Sequence, residues 1–381
     1  MSEGSETKAE WFARAVALAL GFLLALAYVN HLQKQRLEAA QFALGEDTLP
    51  RRAQFEGQLS GAHTIPNYAS TLLAASDTQS WWDGPEGLWL GNSQMHAINA
   101  GVEGSRTAAE YASEQLNLPL WSLSLPNASL QEHRFVFEWA LARRRPDVLI
   151  LSLVYDDLRE DGLRPELDEL ANSTLLATLQ TQGVQAERLA TLMADRLPDD
   201  ADAQGSGGYG DSAVRESWQD RVDTYLEGRL SANWSLWRER SGARARFQTD
   251  IYRLRNTAFG IKATSKRKMI PIRYQRNMAT LWELLDRAKV EGIPVVVYIV
   301  PLRWNPDPPY EIAAYERWKT TIADAMADRP GVVFEDLDRL VPDELWGEYS
   351  KSGQIDFMHF REDGHVILGR RIAELIQRHL E

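Results

Sequence analysis

From residue 86 onward, short apolar runs alternate with amphipathic stretches. The run 147–155 (DVLILSLVY) is apolar through its middle and bounded by Pro146 and Asp156, as a strand buried on both faces should be. The run 293–300 (IPVVVYIV) has the same form, and shorter runs at 88–90, 118–123 and 331–336 complete a set of five. Between them, helical spacing predicts helices over 107–116, 130–143, 275–290 and 310–327, with a closing helix over 363–379. Strands and helices in strict alternation predict an α/β fold: an open parallel sheet of about five strands with helices on both faces.

Two regions break this alternation. Residues 161–274 hold helical patterns over 163–197 and 217–256, separated by the Gly/Asp/Ser-rich stretch 199–212, and read as a helical insertion or lid. At the other end, residues 11–29 (WFARAVALALGFLLALAYV) carry a single charge, Arg14, near one end. A helix of that length spans about 28 Å, close to the thickness of a bilayer's hydrocarbon core. The residues after it are bulky and polar, so an uncleaved transmembrane anchor is the primary expectation; a signal peptide and a buried helix are the rivals. Lys8 before the span and Arg14 at its start are matched by Lys34 and Arg36 after it, so charge leaves the orientation undecided. The short polar tail, 1–10, is compatible with an inside N-terminus and an extracytoplasmic body. The expected organisation is therefore a tail (1–10), an anchor (11–29), a stalk and wrapping segment (30–85), an α/β domain (86–160 and 275–381) and the insertion (161–274).

Composition narrows the chemistry. The 381 residues carry a formal charge of −12, which argues against a general nucleic-acid binder. There is no cysteine, and this excludes disulfides, thiolate nucleophiles, iron–sulfur clusters and Cys-ligated zinc. His359 and His365 are six apart and no His-Glu-x-x-His occurs, so a metal site is not expected; no phosphate-binding glycine motif opens a helix, and no cofactor is expected.

In an open parallel sheet, functional groups gather at the carboxyl ends of the strands. The first strand ends in Gly91-Asn92-Ser93-Gln94, which places a serine at the start of a turn or helix. Its plainest role is a helix cap, but its own N–H is also placed to face a developing oxyanion. Asp356-Phe357-Met358-His359 precedes the last helix, and a loop with Asp three residues before His holds both side chains near one site. His96, three residues after Ser93, is read as a neighbour and not as the base.

Together, the Gly-x-Ser and Asp-x-x-His blocks resemble the SGNH (GDSL-like) hydrolases and acyltransferases, over roughly 86–156 and 293–380. The resemblance implies a flavodoxin-like sheet with Ser93 as nucleophile, His359 as base and Asp356 as its orienter. Two departures stand out. Where that family supplies an oxyanion-binding Gly, this chain has Ser124-Leu125-Pro126-Asn127-Ala128, leaving Asn127 and Ala128 as candidate donors. Where it supplies an Asn, this chain has Asp156 and Asp157, candidates for binding a substrate hydroxyl or amine. Arg303 and Trp304, after the fourth strand, are candidates to hold a sugar ring or an anionic acceptor. With the anchor, the resemblance extends to the extracytoplasmic partners of membrane-bound O-acyltransferases. It implies such a multi-pass partner, an acetyl-like acyl group and a polysaccharide acceptor. The alternatives are an esterase that deacylates a glycan, or an inactive glycan-binding scaffold.

Overall fold

The structure, a computed structural model, describes residues 48–50, 63–66, 86–102, 104–125, 127–163, 167, 170–171, 173–194, 266–348 and 355–380. The expected anchor (11–29), the stalk up to 47 and the insertion over 195–265 lie outside the described residues. No helix among the described residues is long and apolar enough to cross a membrane.

In chain order the strands are β1 (Thr48–Pro50), β2 (His63–Pro66), β3 (Gly87–Gly91), β4 (Ala97–Asn99), β5 (Leu120–Ser124), β6 (Val148–Leu153), β7 (Val295–Ile299), β8 (Val332–Asp336), β9 (Trp346–Glu348) and β10 (Ile355–Phe360). The helices are α1 (Ala108–Leu116), α2 (Leu130–Leu141), α3 (Ser173–Thr181), α4 (Val184–Ala194), α5 (Pro271–Val290), α6 (Ile312–Ala327) and α7 (Glu362–Leu380). One sheet runs in the order β2-β5-β3-β6-β7-β8, and every pair in it is parallel. The centre, β3, β5, β6 and β7, is buried at every position, which is why these segments read as continuous apolar runs.

The sheet has six strands, one more than the pattern predicts. The extra edge strand, β2, has the sequence His-Thr-Ile-Pro, with one aliphatic residue and a closing proline, so it carries no periodic signal. Two small antiparallel pairs, β1–β4 and β9–β10, lie outside the main sheet. β10 corrects a second expectation. Asp356 and His359 sit on a short, irregular strand and not on a loop.

β3 is the first strand of the expected alternation and sits between β5 and β6. It is therefore the point where strand order reverses, and the crevice beyond its carboxyl end is where such sheets bind ligands. Helix ends are capped locally. Thr107 with Glu110 and Ser129 with Glu132 form capping boxes at α1 and α2. Pro271 opens α5 four residues earlier than expected, in the first turn, where its missing N–H costs nothing. α2 is buried on nearly every side, charged residues included. Glu138 is held by Arg134, by Arg287 of α5 and by Gln182 just after α3, so the α3–α4 part of the insertion covers a helix whose charges are paired.

Candidate active site

β3 delivers the chain to the crevice through Gly91. A Cβ there would lie 2.5 Å from Met95 Cγ and 2.6 Å from Ser152 Oγ, so only glycine lets the chain turn this tightly. Asn92 caps the one-turn 3₁₀ helix Ser93–Met95: its Oδ1 accepts the Gln94 N–H at 3.0 Å. Ser93 is the first residue of that turn, so its own N–H precedes any intrahelical acceptor.

The imidazole arrives from the far end of the chain. Asp356 Oδ1 accepts the backbone N–H of Met358 (2.9 Å) and of His359 (3.0 Å), which folds β10 back over the aspartate. This local turn overrides strand alternation, which would send positions three apart to opposite faces. Asp356 Oδ2 then lies 2.9 Å from His359 Nδ1, and His359 Nε2 lies 2.9 Å from Ser93 Oγ. A carboxylate can only accept, so Nδ1 carries the proton and Nε2 is the acceptor that faces the serine hydroxyl. Asn99 Nδ2 adds a longer contact to Asp356 Oδ2, at 3.4 Å. Burial alone would raise the Asp356 pKa. The His359 charge and hydrogen bond, with the two backbone N–H groups, more than offset it and hold the carboxyl below its ordinary value. The carboxylate therefore stays ionised at neutral pH while only 2% exposed.

Two further histidines surround this chain. His96 Nδ1 lies 2.7 Å from Ser124 Oγ. His365 Nδ1 accepts the Ala108 N–H at 3.2 Å, so its Nε2 carries the proton and faces the Ala97 carbonyl at 3.3 Å. Burial, then the charges of neighbouring histidines, push His96 down to about 3. Burial is also the largest cause for His365, again down to about 3. Both rings are neutral spacers next to the one imidazole that is wired to a carboxylate.

The remaining expected site residues are held as follows. The loop after β5 is fastened to the turn that carries Ser93, because Leu125 N–H donates to the Gly91 carbonyl at 3.1 Å. In that loop Asn127 is exposed with left-handed backbone (φ 53°), and Ala128 is fully buried. Asp157 is buried, and its Oδ2 accepts from Asn92 Nδ2 at 3.4 Å, which joins the turn after β6 to the residue before Ser93. Asp156 is turned to two cations, Arg159 at 3.1 Å and Arg267, so its charge is compensated within the chain. Arg303 and Trp304 are engaged with protein groups. The Arg303 guanidinium donates to the carbonyls of Asn305 (2.8 Å) and Gly347 (2.9 Å), while Trp304 donates to the Asp338 carbonyl and stacks under Arg339.

Pattern reading passed over Asn99, Gln94 and Arg267. Each acts on residues more than a hundred positions away in the chain, and no local spacing records such a contact. No group of His, Asp or Glu able to hold a metal occurs among the described residues.

No protein-family model matches the chain, and no curated protein sequence does. Among solved structures it is similar to a GDSL-like lipase from Bacteroides thetaiotaomicron VPI-5482, at 10% identity and TM-score 0.37, covering 82% of this chain and 98% of that one. It is also similar to an acetyl xylan esterase from the rumen bacterium Butyrivibrio proteoclasticus, at 9% identity and TM-score 0.29, covering 78% of this chain and 64% of that one. The chain's own site is a serine, an imidazole and a carboxylate in hydrogen-bonded series at the carboxyl edge of a parallel α/β sheet. That is the arrangement of a serine hydrolase-type enzyme.

Proposed function

We propose that this chain is a serine-dependent acyl-transfer enzyme. His359 takes the Ser93 proton as Ser93 Oγ attacks the acyl carbon of a donor ester, and Asp356 stabilises the imidazolium that results. His359 then returns the proton to the departing alcohol, leaving an acyl-serine. In the second half the acceptor hydroxyl loses its proton to His359 and takes the acyl group, which restores Ser93. The acceptor in this reading is a polysaccharide hydroxyl. The acyl group is acetyl, delivered by a membrane-bound O-acyltransferase partner to a domain held at the outer face by residues 11–29. Asn127 and Ala128 in the loop after β5, with the Ser93 N–H, are the oxyanion donors of this reading. Arg303 and Trp304 frame the acceptor side. Water in place of the sugar hydroxyl turns the same intermediate into an esterase.

The observation that carries this reading is the pair of 2.9 Å contacts that join Ser93 to His359 and His359 to Asp356. Two measurements test it. A fluorophosphonate probe labels the wild-type protein covalently, and Ser93→Ala abolishes the label; labelling that survives the substitution removes Ser93 from the role. With p-nitrophenyl acetate as donor, an added acetyl-free polysaccharide gains acetyl ester in proportion to nitrophenol released. Acetate release alone, with no ester on the glycan, assigns the site to hydrolysis.

A further inference from the structure

Gln94 follows the proposed nucleophile directly and is fully buried. Its Nε2 donates to two backbone carbonyls, Pro301 and Met358, each at 2.9 Å. Both partners are acceptors only, so the orientation of the amide is settled: the NH₂ faces them and Oε1 faces away. Oε1 is buried with no hydrogen-bond partner among the described residues. A buried amide oxygen left unsatisfied destabilises the fold, yet the amide stays, with both its N–H groups spent on these carbonyls.

The two carbonyls belong to the segments that must meet Ser93. Met358 lies between Asp356 and His359, and Pro301 is in the segment that follows β7. The same two segments touch again where the Arg303 N–H reaches the Phe357 carbonyl at 3.4 Å. The Asp356–His359 pair is built within four residues and needs no help to form. The distance from that pair to Ser93 spans 266 positions of chain and is not set locally. We infer that Gln94 is the positioning residue that sets this distance. Its amide buckles the nucleophile turn to the base-bearing strand and to the segment after β7, and so holds Ser93 Oγ within reach of His359 Nε2. This rests on the reading of Ser93 and His359 as nucleophile and base.

The test uses the full-length protein, p-nitrophenyl acetate turnover, the rate of fluorophosphonate labelling, and the low-field proton resonance of the His359–Asp356 hydrogen bond. Gln94→Met keeps the shape and removes both donors. It should lower kcat and the labelling rate about 10- to 100-fold, the range for a roughly 1 Å misplacement. KM should stay within about twofold, and the low-field proton should persist because the His–Asp pair is local. Wild-type labelling in Gln94→Met overturns the inference. Gln94→Glu tests it independently if Gln94→Met fails to fold or loses the low-field proton. A buried protonated glutamic acid still donates to one carbonyl, whereas its carboxylate repels both. Labelling of Gln94→Glu should therefore fall as pH rises. A Gln94→Glu profile that parallels the wild type overturns the inference. A wild-type protein that no probe labels overturns the functional reading itself, which is a separate result.

Discussion

Asp156 and Arg267 stand 111 positions apart and form an ion pair at the end of β6, where Arg159 reaches the other oxygen of the same carboxylate. The turn that holds Asp156 also touches the residue before Ser93, through Asp157 and Asn92. In the proposed reaction an uncompensated carboxylate in this turn would oppose the negative charge that develops at Ser93, and Arg267 cancels much of the Asp156 charge. Arg267→Met should therefore lower kcat about tenfold, or about 1.4 kcal/mol in barrier. Adding Asp156→Asn should recover most of it, because the neutral amide needs no counter-charge. A double variant as slow as Arg267→Met shows that the guanidinium acts in some other way.

Asp356 fixes the tautomer of His359. Asp356→Asn presents an amide to Nδ1, favours the wrong tautomer and should lower kcat on the order of 10³- to 10⁴-fold. Its pH signature has a definite sign. The folded-state pKa lies below the ordinary carboxylate value, so the stabilisation is present above that value and is lost as pH falls through the folded-state pKa. Urea midpoints of wild type and Asp356→Asn should differ at pH 7 and converge below about pH 4. A difference that stays constant over this range removes the ionised carboxylate from the stability argument.

Much of this was legible in the sequence, and for local reasons. Ser93 follows a glycine that ends an apolar run, and Asp356 and His359 share one short stretch. Both motifs advertise themselves within ten residues. Four of the five expected strands, β3, β5, β6 and β7, were legible because burial on both faces leaves no other composition. β2 was not, because an edge strand of four residues needs no pattern. Nor was β10, because the Asp356 side chain reshapes the strand through its hydrogen bonds to the next two residues but one. Asp156 read as a group for a substrate hydroxyl or amine because its partner Arg267 comes from the other side of the insertion. Arg303 and Trp304 read as ligand-facing from their aromatic and cationic character alone. Their hydrogen bonds to Asn305, Gly347 and Asp338 depend on loop packing that composition does not encode.

The neutral histidines set a further pH dependence. Burial holds the pKa of His96 and of His365 down to about 3 in the folded protein, against 6.5 for an ordinary imidazole. The unfolded chain binds their protons first, so stability is full above about pH 6.5 and declines as pH falls toward about 3. Each contributes a slope of up to about 1.4 kcal/mol per pH unit inside that window. His365→Gln should roughly halve the slope of this pair's loss in urea denaturation between pH 6 and 4. An unchanged slope means that His365 gains a proton in the folded state.

The contact of α7 with α1 gives a purely steric prediction. Gly369 faces α1 at close range: an added Cβ would lie 2.5 Å from the Ala108 carbonyl oxygen and 2.8 Å from Tyr111 Cβ. Intrinsic helix propensity favours alanine over glycine by about 1 kcal/mol. The clash opposes it, and one of the two atoms is backbone, which cannot rotate away. Forcing the helices apart costs about 1–3 kcal/mol in a packed core. It also draws His365, one turn earlier on α7, away from the Ala108 N–H and the Ala97 carbonyl. Gly369→Ala should therefore lower Tm by several degrees. It should also slow fluorophosphonate labelling, since Ala97 directly follows the His96 that closes the nucleophile turn. A Tm equal to or above the wild type would show that α7 shifts freely on α1 and that propensity, not packing, decides the outcome.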